Sequence, residues 1–228
     1  MNEIKAIVRK QYYEFLYEKK NTLFLIMIIG TISGLLMPVL SHNLSERIQM
    51  TIVAIFTITL LKQWSAESFA SEKENNTLES ILSTSVDLKK LYWIELLFNL
   101  LLVSLVEYML VIIFSITNHI INVQLILSIY EALLLILLLF NLKVSIAIVV
   151  TSISLTSKDV RIANSRASKH LYIAIFLISI VVTLNTKTIS YLTSIYVCLV
   201  FIMLLINLIL IKYTNSKLNK IYFEDVLF

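Results

Sequence analysis

The chain has 228 residues, of which 58% are hydrophobic and only 15% are charged, and its formal net charge is +4. Soluble domains are roughly 45–50% apolar and about 25% charged, so this balance excludes an ordinary soluble enzyme and favours a membrane protein. Two glycines and one proline are too few for the turns of a membrane β-barrel. A single cysteine, Cys198, excludes an intrachain disulfide, and the modest positive charge does not suggest a nucleic-acid surface.

The first element in chain order is an N-terminal segment, residues 1–21. Its apolar residues recur at helical spacing, and its basic residues lie mostly elsewhere. This pattern predicts an amphipathic interfacial helix on the cytoplasmic membrane surface, and a disordered basic segment is the alternative. The apolar positions are Ile4, Ile7, Val8, Tyr12 and Phe15.

Long apolar runs follow this segment. In lipid, a helix satisfies its own backbone hydrogen bonds over such a run, so the runs predict an all-α integral membrane protein with six transmembrane helices. The transmembrane domain is expected over residues 22–212, and residues 213–228 are expected to form a polar cytoplasmic tail. The predicted spans 1 to 6 are residues 22–40, 48–64, 92–117, 123–155, 170–186 and 189–211.

Lysine and arginine residues set the orientation of the spans. Sixteen of the nineteen lie before span 1, after span 6, between spans 4 and 5, or from the end of span 2 to span 3. Arg47 and Lys187 fall on the opposite side, and Lys143 lies inside span 4. The positive-inside rule therefore predicts that both termini are cytoplasmic. The same orientation puts three aromatic residues at the inner lipid interface: Trp64, Tyr92 and Trp93.

The two larger cytoplasmic loops are expected at residues 65–91 and 156–169, and the first of them contains a short helix over about 75–85. Asn76 is the expected N-cap, and Glu79 three residues later completes a capping box. Such a helix can lie on the membrane or press into a groove of a soluble protein, and the second is favoured because anionic inner-leaflet lipids repel carboxylates. Its apolar positions, at i, i+3 and i+4, are Leu78, Ile81 and Leu82.

This segment resembles the permeases of the type-2 ATP-binding-cassette (ABC) export family. An acidic-basic-acidic triplet begins at Glu72, Thr-Leu-Glu begins at Thr77, and Ile-Leu-Ser-Thr begins at Ile81, as in the pattern that follows span 2 in that family. Two positions depart from it: Ser85 replaces the usual proline, and Glu95 replaces a frequent lysine at the start of span 3. The six-span layout and the N-terminal surface helix also agree with the family.

The resemblance implies a non-catalytic subunit that pairs with a second permease, expected to be an identical copy, and with two cytoplasmic ATPase subunits. ATP and Mg would bind to the ATPases, because this chain has no Gly-x-x-x-x-Gly-Lys-Ser/Thr loop, and the chain itself would bind no cofactor or metal. The short helix would be the coupling helix. The coupling residues that the resemblance implies are Glu72, Glu74, Thr77, Leu78, Glu79, Ile81 and Leu82.

The expected cargo is amphipathic or hydrophobic, because the outer loops are very short and the spans carry few charges. Small permeases similar to this one often export toxin or antimicrobial peptides, which suggests peptides of the phenol-soluble-modulin type. Drug or lipid export is the alternative. The Ile, Leu, Asn and Lys bias indicates an AT-rich bacterial genome, so we expect a multi-pass protein of the bacterial cell membrane.

Ionisable residues inside predicted spans are costly and mark either helix packing or a functional path. At about 1.5 Å per residue, Glu107 lies about 22 Å from the start of span 3 and Lys143 about 18 Å from the end of span 4. These matching depths predict an intramembrane ion pair between Glu107 and Lys143. The pair would either fix the packing of the two helices or form part of the cargo path. Glu95 is expected to reach the inner interface or a partner protein, and Glu131 to lie near the outer interface.

An intramembrane protease is the enzymatic alternative, and a structural or regulatory membrane protein is a further one. A protease needs a nucleophile with a base, paired acids or a metal-binding histidine cluster. His42 and His119 fall on the outer side of the predicted topology and His170 on the inner side, so these three cannot form one site. A transporter should instead co-purify with an ATPase and stimulate its ATP turnover.

The predicted orientation can be checked by labelling cysteines from one side of the membrane. In a Cys198→Ser background, Lys187→Cys should react with an impermeant maleimide in intact cells, because Lys187 lies in an outer loop. Glu79→Cys should react only after the cells are permeabilised. A reaction of Glu79→Cys in intact cells would put the short helix outside and out of reach of any ATPase.

Overall fold

The structure is a computed structural model that describes residues 2–14, 24, 28, 46–83, 86–120, 129–186 and 192–219. Within these residues the chain is all-helical, with short turns between helices. Predicted span 1 lies outside the described residues except for Phe24 and Ile28. The helices are α1 (Asn2–Glu14), α2 (Glu46–Glu74), α3 (Thr77–Ser83), α4 (Leu88–Ile120), α5 (Ile129–Thr156), α6 (Val160–Thr186) and α7 (Leu192–Leu218).

Three of these helices are long and apolar enough to cross a membrane. Their apolar stretches are Leu88–Ile113 in α4, Leu133–Thr156 in α5 and Ser194–Leu218 in α7, which correspond to predicted spans 3, 4 and 6. The shortest stretch has 24 residues, and at 1.5 Å per residue it covers about 36 Å, more than the roughly 30 Å hydrocarbon core of a bilayer. The described part of the chain is therefore a helical protein suited to a membrane.

Two helices, α2 and α5, form the centre of the bundle. Helix α2 packs against α3, α4, α5 and α6, and α5 packs against α2, α4, α6 and α7. More than half of the apolar stretch of α5 is buried, 56%, whereas in α7 the buried share is 17%. Helix α7 therefore lies at the edge of the bundle and turns most of its apolar surface outward.

Helix α2 extends beyond its predicted span, so the expectation of a loop from residue 65 is wrong. Residues 65–74 continue the helix, and most of their side chains are buried. Ser154 of α5 holds this extension: its Oγ accepts from the backbone N–H groups of Phe69 and Ala70, both at 3.0 Å, and donates to the carbonyl of Ala66 at 2.8 Å. Hydropathy alone misses these turns because small polar residues form them.

The predicted loop over residues 156–169 is also largely helical, since only three residues separate the end of α5 from the start of α6. Two carboxylates satisfy free backbone N–H groups in the first turn of α6. Asp159 Oδ1 accepts from the N–H of Ile162 at 2.6 Å, and Glu74 Oε1 of α2 accepts from the N–H of Val160 at 2.8 Å. Such capping fixes the start of a helix ahead of its apolar stretch.

The predicted polar tail begins as helix. Helix α7 continues to Leu218, so residues 213–218 belong to it and only residue 219 of the remaining tail lies within the described part. Thr214 and Leu218 are buried against the bundle. The boundary predicted at residue 212 followed from polarity, whereas packing extends the helix by more than one turn.

The aromatic residues expected at the inner lipid interface mostly pack inside the protein. Trp64 and Tyr92 are fully buried. The Tyr92 hydroxyl donates to the carbonyl of Ile148 on α5 at 2.8 Å, and Trp93 Nε1 donates to Asn215 Oδ1 on α7 at 3.0 Å. The polar tips of Tyr92 and Trp93 thus find acceptors on neighbouring helices, as partly or fully buried tyrosine and tryptophan side chains usually do.

The contact between Ser154 and α2 can be tested by Ser154→Ala. We expect the free energy of unfolding to fall by about 1–2 kcal/mol, because three backbone groups of α2 lose a partner. The matched control is Ser65→Ala, which removes a buried hydroxyl that has no hydrogen-bond partner in the described part of the chain, and this change should be neutral. Thermal unfolding in detergent micelles measures both, and equal effects would contradict the assignment.

Candidate functional site

Helix α1 docks on α4 through one side. Ile7 and Gln11 on that side are buried, whereas Val8, Tyr12 and Tyr13 are exposed. The exposed side therefore carries Val8 and Tyr12, two of the apolar residues that the sequence pattern assigned to the membrane surface. Because α1 is bound to the bundle, its exposed aromatic residues are held at a fixed position relative to α4.

Polar contacts join α1 to α2 and α4, and the residues that make them are called the α1 junction: Lys10, Gln11, Glu72 and Glu95. Lys10 Nζ pairs with Glu72 Oε1 and lies 3.6 Å from Glu95 Oε1. Gln11 Nε2 donates to Glu95 Oε1. Glu95 is 1% exposed, so the expectation that it reaches the lipid interface or a partner is wrong. A buried carboxylate needs donors, and α1 supplies them.

Helix α3 follows α2 after a tight turn formed by Asn75 and Asn76. Asn76 has φ 55°, in the left-handed region that asparagine tolerates, and its N–H donates to the carbonyl of Lys73 at 3.0 Å. The predicted N-cap role of Asn76 is therefore wrong, because an N-cap residue has an extended backbone. Instead, Thr77 Oγ1 donates to the carbonyl of Glu72 at 3.1 Å and fastens the start of α3 to the end of α2.

The apolar face of α3 turns into the bundle. Leu78 is fully buried, and Ile81 packs against the same apolar cluster. Among the predicted coupling residues, Glu72 and Leu78 are thus inaccessible to a partner protein, because the chain's own core and α1 already cover them. Leu82 lies on α3, but its side chain is outside the described residues. The exposed described residues of α3 and of the turn before it are Asn75, Asn76, Thr77, Glu79 and Ser83.

The end of α2 is bound to the following helices by two charged residues that the sequence did not single out for this purpose. Lys73 Nζ donates to the carbonyls of Leu155 and Ser157 at 2.5 and 3.0 Å, where α5 ends. A cation is favourable at a helix C-terminus, although partial burial of the ammonium lowers the pKa of Lys73. Glu74, predicted as a coupling residue, is exposed but caps α6 through Val160.

Glu107 and Lys143 are brought together within the bundle, away from the α1 junction. Lys143 Nζ of α5 pairs with Glu107 Oε2 of α4. The lysine side chain is 3% exposed and the glutamate side chain is 16% exposed. The Glu131 side chain lies outside the described residues. Over the described ranges, no group of three or more His, Cys, Asp or Glu residues is placed to hold a metal ion.

No family model, curated protein or solved structure matches this chain. The interpretation of the two polar sites therefore depends on their own geometry. The α1 junction with α3 lies where the sequence predicts the cytoplasmic side, and the Glu107–Lys143 pair lies within two helices that are apolar enough to cross a membrane.

The α1 junction can be tested by Lys10→Met. Loss of the ammonium leaves Glu72 and Glu95 short of a donor. We therefore expect the substitution to weaken the docking of α1 on the bundle by roughly 3 kcal/mol. Backbone hydrogen exchange of residues 2–14 in nanodiscs measures this, with faster exchange as the expected result. Lys5→Met, an exposed lysine on the same helix, is the control and should leave exchange unchanged.

The double variant Lys10→Met with Glu72→Gln removes one buried charge together with its partner. It should exchange more slowly than Lys10→Met alone, because less uncompensated charge remains. Equal exchange in the single and double variants would show that the ion pair does not hold α1.

Proposed function

We propose that this chain is the transmembrane permease subunit of an ATP-driven exporter in a bacterial cell membrane. In this proposal the chain crosses the membrane six times with both termini in the cytoplasm. It pairs with a second copy of itself and with separate cytoplasmic ATPase subunits that bind ATP and Mg. The cargo is an amphipathic peptide of the toxin or antimicrobial class, and drug or lipid export is the alternative.

The observation that carries this proposal is the placement of α3. Its apolar face is anchored in the core through Leu78, and its polar edge with Glu79 is exposed. A short helix of this kind has no exposed apolar stripe among its described side chains to bury in lipid. An ATPase that binds the polar edge can therefore displace α3, and the anchored face passes that displacement into the bundle.

The bonds around α3 support the same proposal. Thr77 fastens α3 to the last turn of α2, and Lys73 and Glu74 fasten that turn to α5 and α6. A movement of α3 would thus act on α2, α5 and α6 together. This arrangement would have little purpose in an intramembrane protease, whose chemistry needs no input from the cytoplasm.

The proposal can be tested by charge reversal on the exposed edge of α3. Glu79→Lys should lower the stimulation of ATP turnover in the co-purified ATPase by about tenfold, because a contact at a partner surface changes from attraction to repulsion. Lys169→Glu, a reversal at an exposed position on α6, is the matched control and should keep the stimulation. Thermal unfolding of both variants should match that of the native chain.

The variant Leu78→Ala distinguishes a loss of folding stability from a selective loss of coupling to the ATPase. Because Leu78 is fully buried, this variant should lose about 2–5 kcal/mol of stability rather than show a selective loss of coupling. If no ATPase co-purifies with the native chain, or if Glu79→Lys stimulates ATP turnover as well as the native chain does, the exporter assignment is wrong.

A further inference from the structure

A cavity of about 180 Å³ lies between α2, α4 and α5, beside the Glu107–Lys143 pair. Its walls are mainly apolar and include Val53, Leu135 and Leu139. Tyr108, Ile136 and Phe140 also line it, and all three are exposed. Among the described residues, the cavity therefore opens sideways onto the apolar outer surface between α4 and α5.

Three polar side chains converge on this cavity: Ser104, Glu107 and Lys143. Ser104 and Glu107 are three residues apart on α4, so they share one face of the helix. The Ser104 hydroxyl oxygen is buried, and it has no hydrogen-bond partner in the described part of the chain. Lys143 bonds to Glu107 through Oε2, and a carboxylate retains acceptor capacity on its second oxygen.

The carboxylate is the more exposed of the two charged groups in this cavity. Both side chains line the cavity, and the Glu107 side chain is 16% exposed, whereas that of Lys143 is 3% exposed. A charge within an apolar bundle acts strongly on a ligand because water screens it little. An ammonium group suits the site, since it has three donors to offer to the carboxylate and to the unpartnered hydroxyl of Ser104.

We propose that this cavity binds the primary ammonium group of a cationic amphiphile that enters sideways from the bilayer. A volume of about 180 Å³ is smaller than the 300–1,000 Å³ or so of pockets that enclose whole drug-sized ligands. The ammonium and its first methylene groups fill the cavity, and the rest of the apolar chain lies along Tyr108, Ile136 and Phe140. The assignment of such a molecule as cargo rests on the exporter function proposed above, whereas its binding does not.

The test measures equilibrium binding of tritium-labelled dodecylammonium to the full chain in nanodiscs at neutral pH, with empty nanodiscs as the blank. Dodecyl sulfate and dodecanol serve as competitors with the same chain and a different head group. We expect the native chain to bind the ammonium at least about tenfold more tightly than either competitor, because only the ammonium pairs with Glu107.

Ser104→Ala tests the hydroxyl. It should weaken ammonium binding by about tenfold without lowering stability, because Ser104 Oγ makes no hydrogen bond to the described part of the ligand-free chain. The matched control is Ser65→Ala, which removes another buried and unpartnered hydroxyl that does not line the cavity. This control should bind the ammonium as tightly as the native chain does.

Glu107→Gln combined with Lys143→Met tests the charge while leaving no unpaired buried ion. This variant should lose the preference for ammonium over dodecanol. Equal binding of all three head groups to the native chain, or native affinity in Ser104→Ala, would overturn the proposal. If the native chain binds the ammonium as expected but no ATPase co-purifies with it, the cavity proposal stands and only the assignment of the ligand as cargo fails.

Discussion

Carboxylates buried in an apolar bundle need donors, and this requirement determines how the N-terminal helix is placed. Glu72 and Glu95 come from α2 and α4, and α1 supplies Lys10 and Gln11 to them. An isolated carboxylate in such surroundings would be too costly to keep ionised. Polar contacts, rather than the whole apolar stripe of α1, therefore fix its position, and Val8 remains exposed together with the two neighbouring tyrosines.

Buried amide side chains also need hydrogen-bond partners, and this need fixes the contact between α5 and α7. Asn207 Nδ2 donates to the carbonyl and to the Oδ1 atom of Asn141 at 3.0 and 3.1 Å, and Ser145 Oγ donates to Asn207 Oδ1 at 2.6 Å. Helix α7 buries little of its apolar stretch, and lipid contacts are as favourable for leucine as protein contacts are. Directional hydrogen bonds between amides therefore set the register of α7 better than its apolar packing can.

The sequence predicts some elements of this fold well because their signals are local. Unbroken apolar runs are sufficient to identify α4, α5 and α7, and i, i+3, i+4 spacing is sufficient to identify α3. The extensions of α2 and α6 depend on tertiary contacts with Ser154 and Glu74, which spacing along the chain does not reveal. Only Asp159, directly before α6, is a residue type that could have marked the start of that helix. Spacing also cannot say which way an amphipathic helix faces, and Leu78 faces the core.

Helix α2 connects the two polar sites physically. Its last turn carries Lys73, Glu74 and the bond to α3, and its earlier turns place Val53 in the cavity wall. The helix is continuous between these points, and Glu74 follows Val53 by 21 positions, a distance of about 32 Å at 1.5 Å per residue. Under the proposed function, an ATPase that displaces α3 would tilt this helix and shift Val53 relative to α4 and α5. Because the ion pair joins α4 to α5 and the cavity lies between those helices and α2, such a tilt would reshape the cavity without requiring the pair to open.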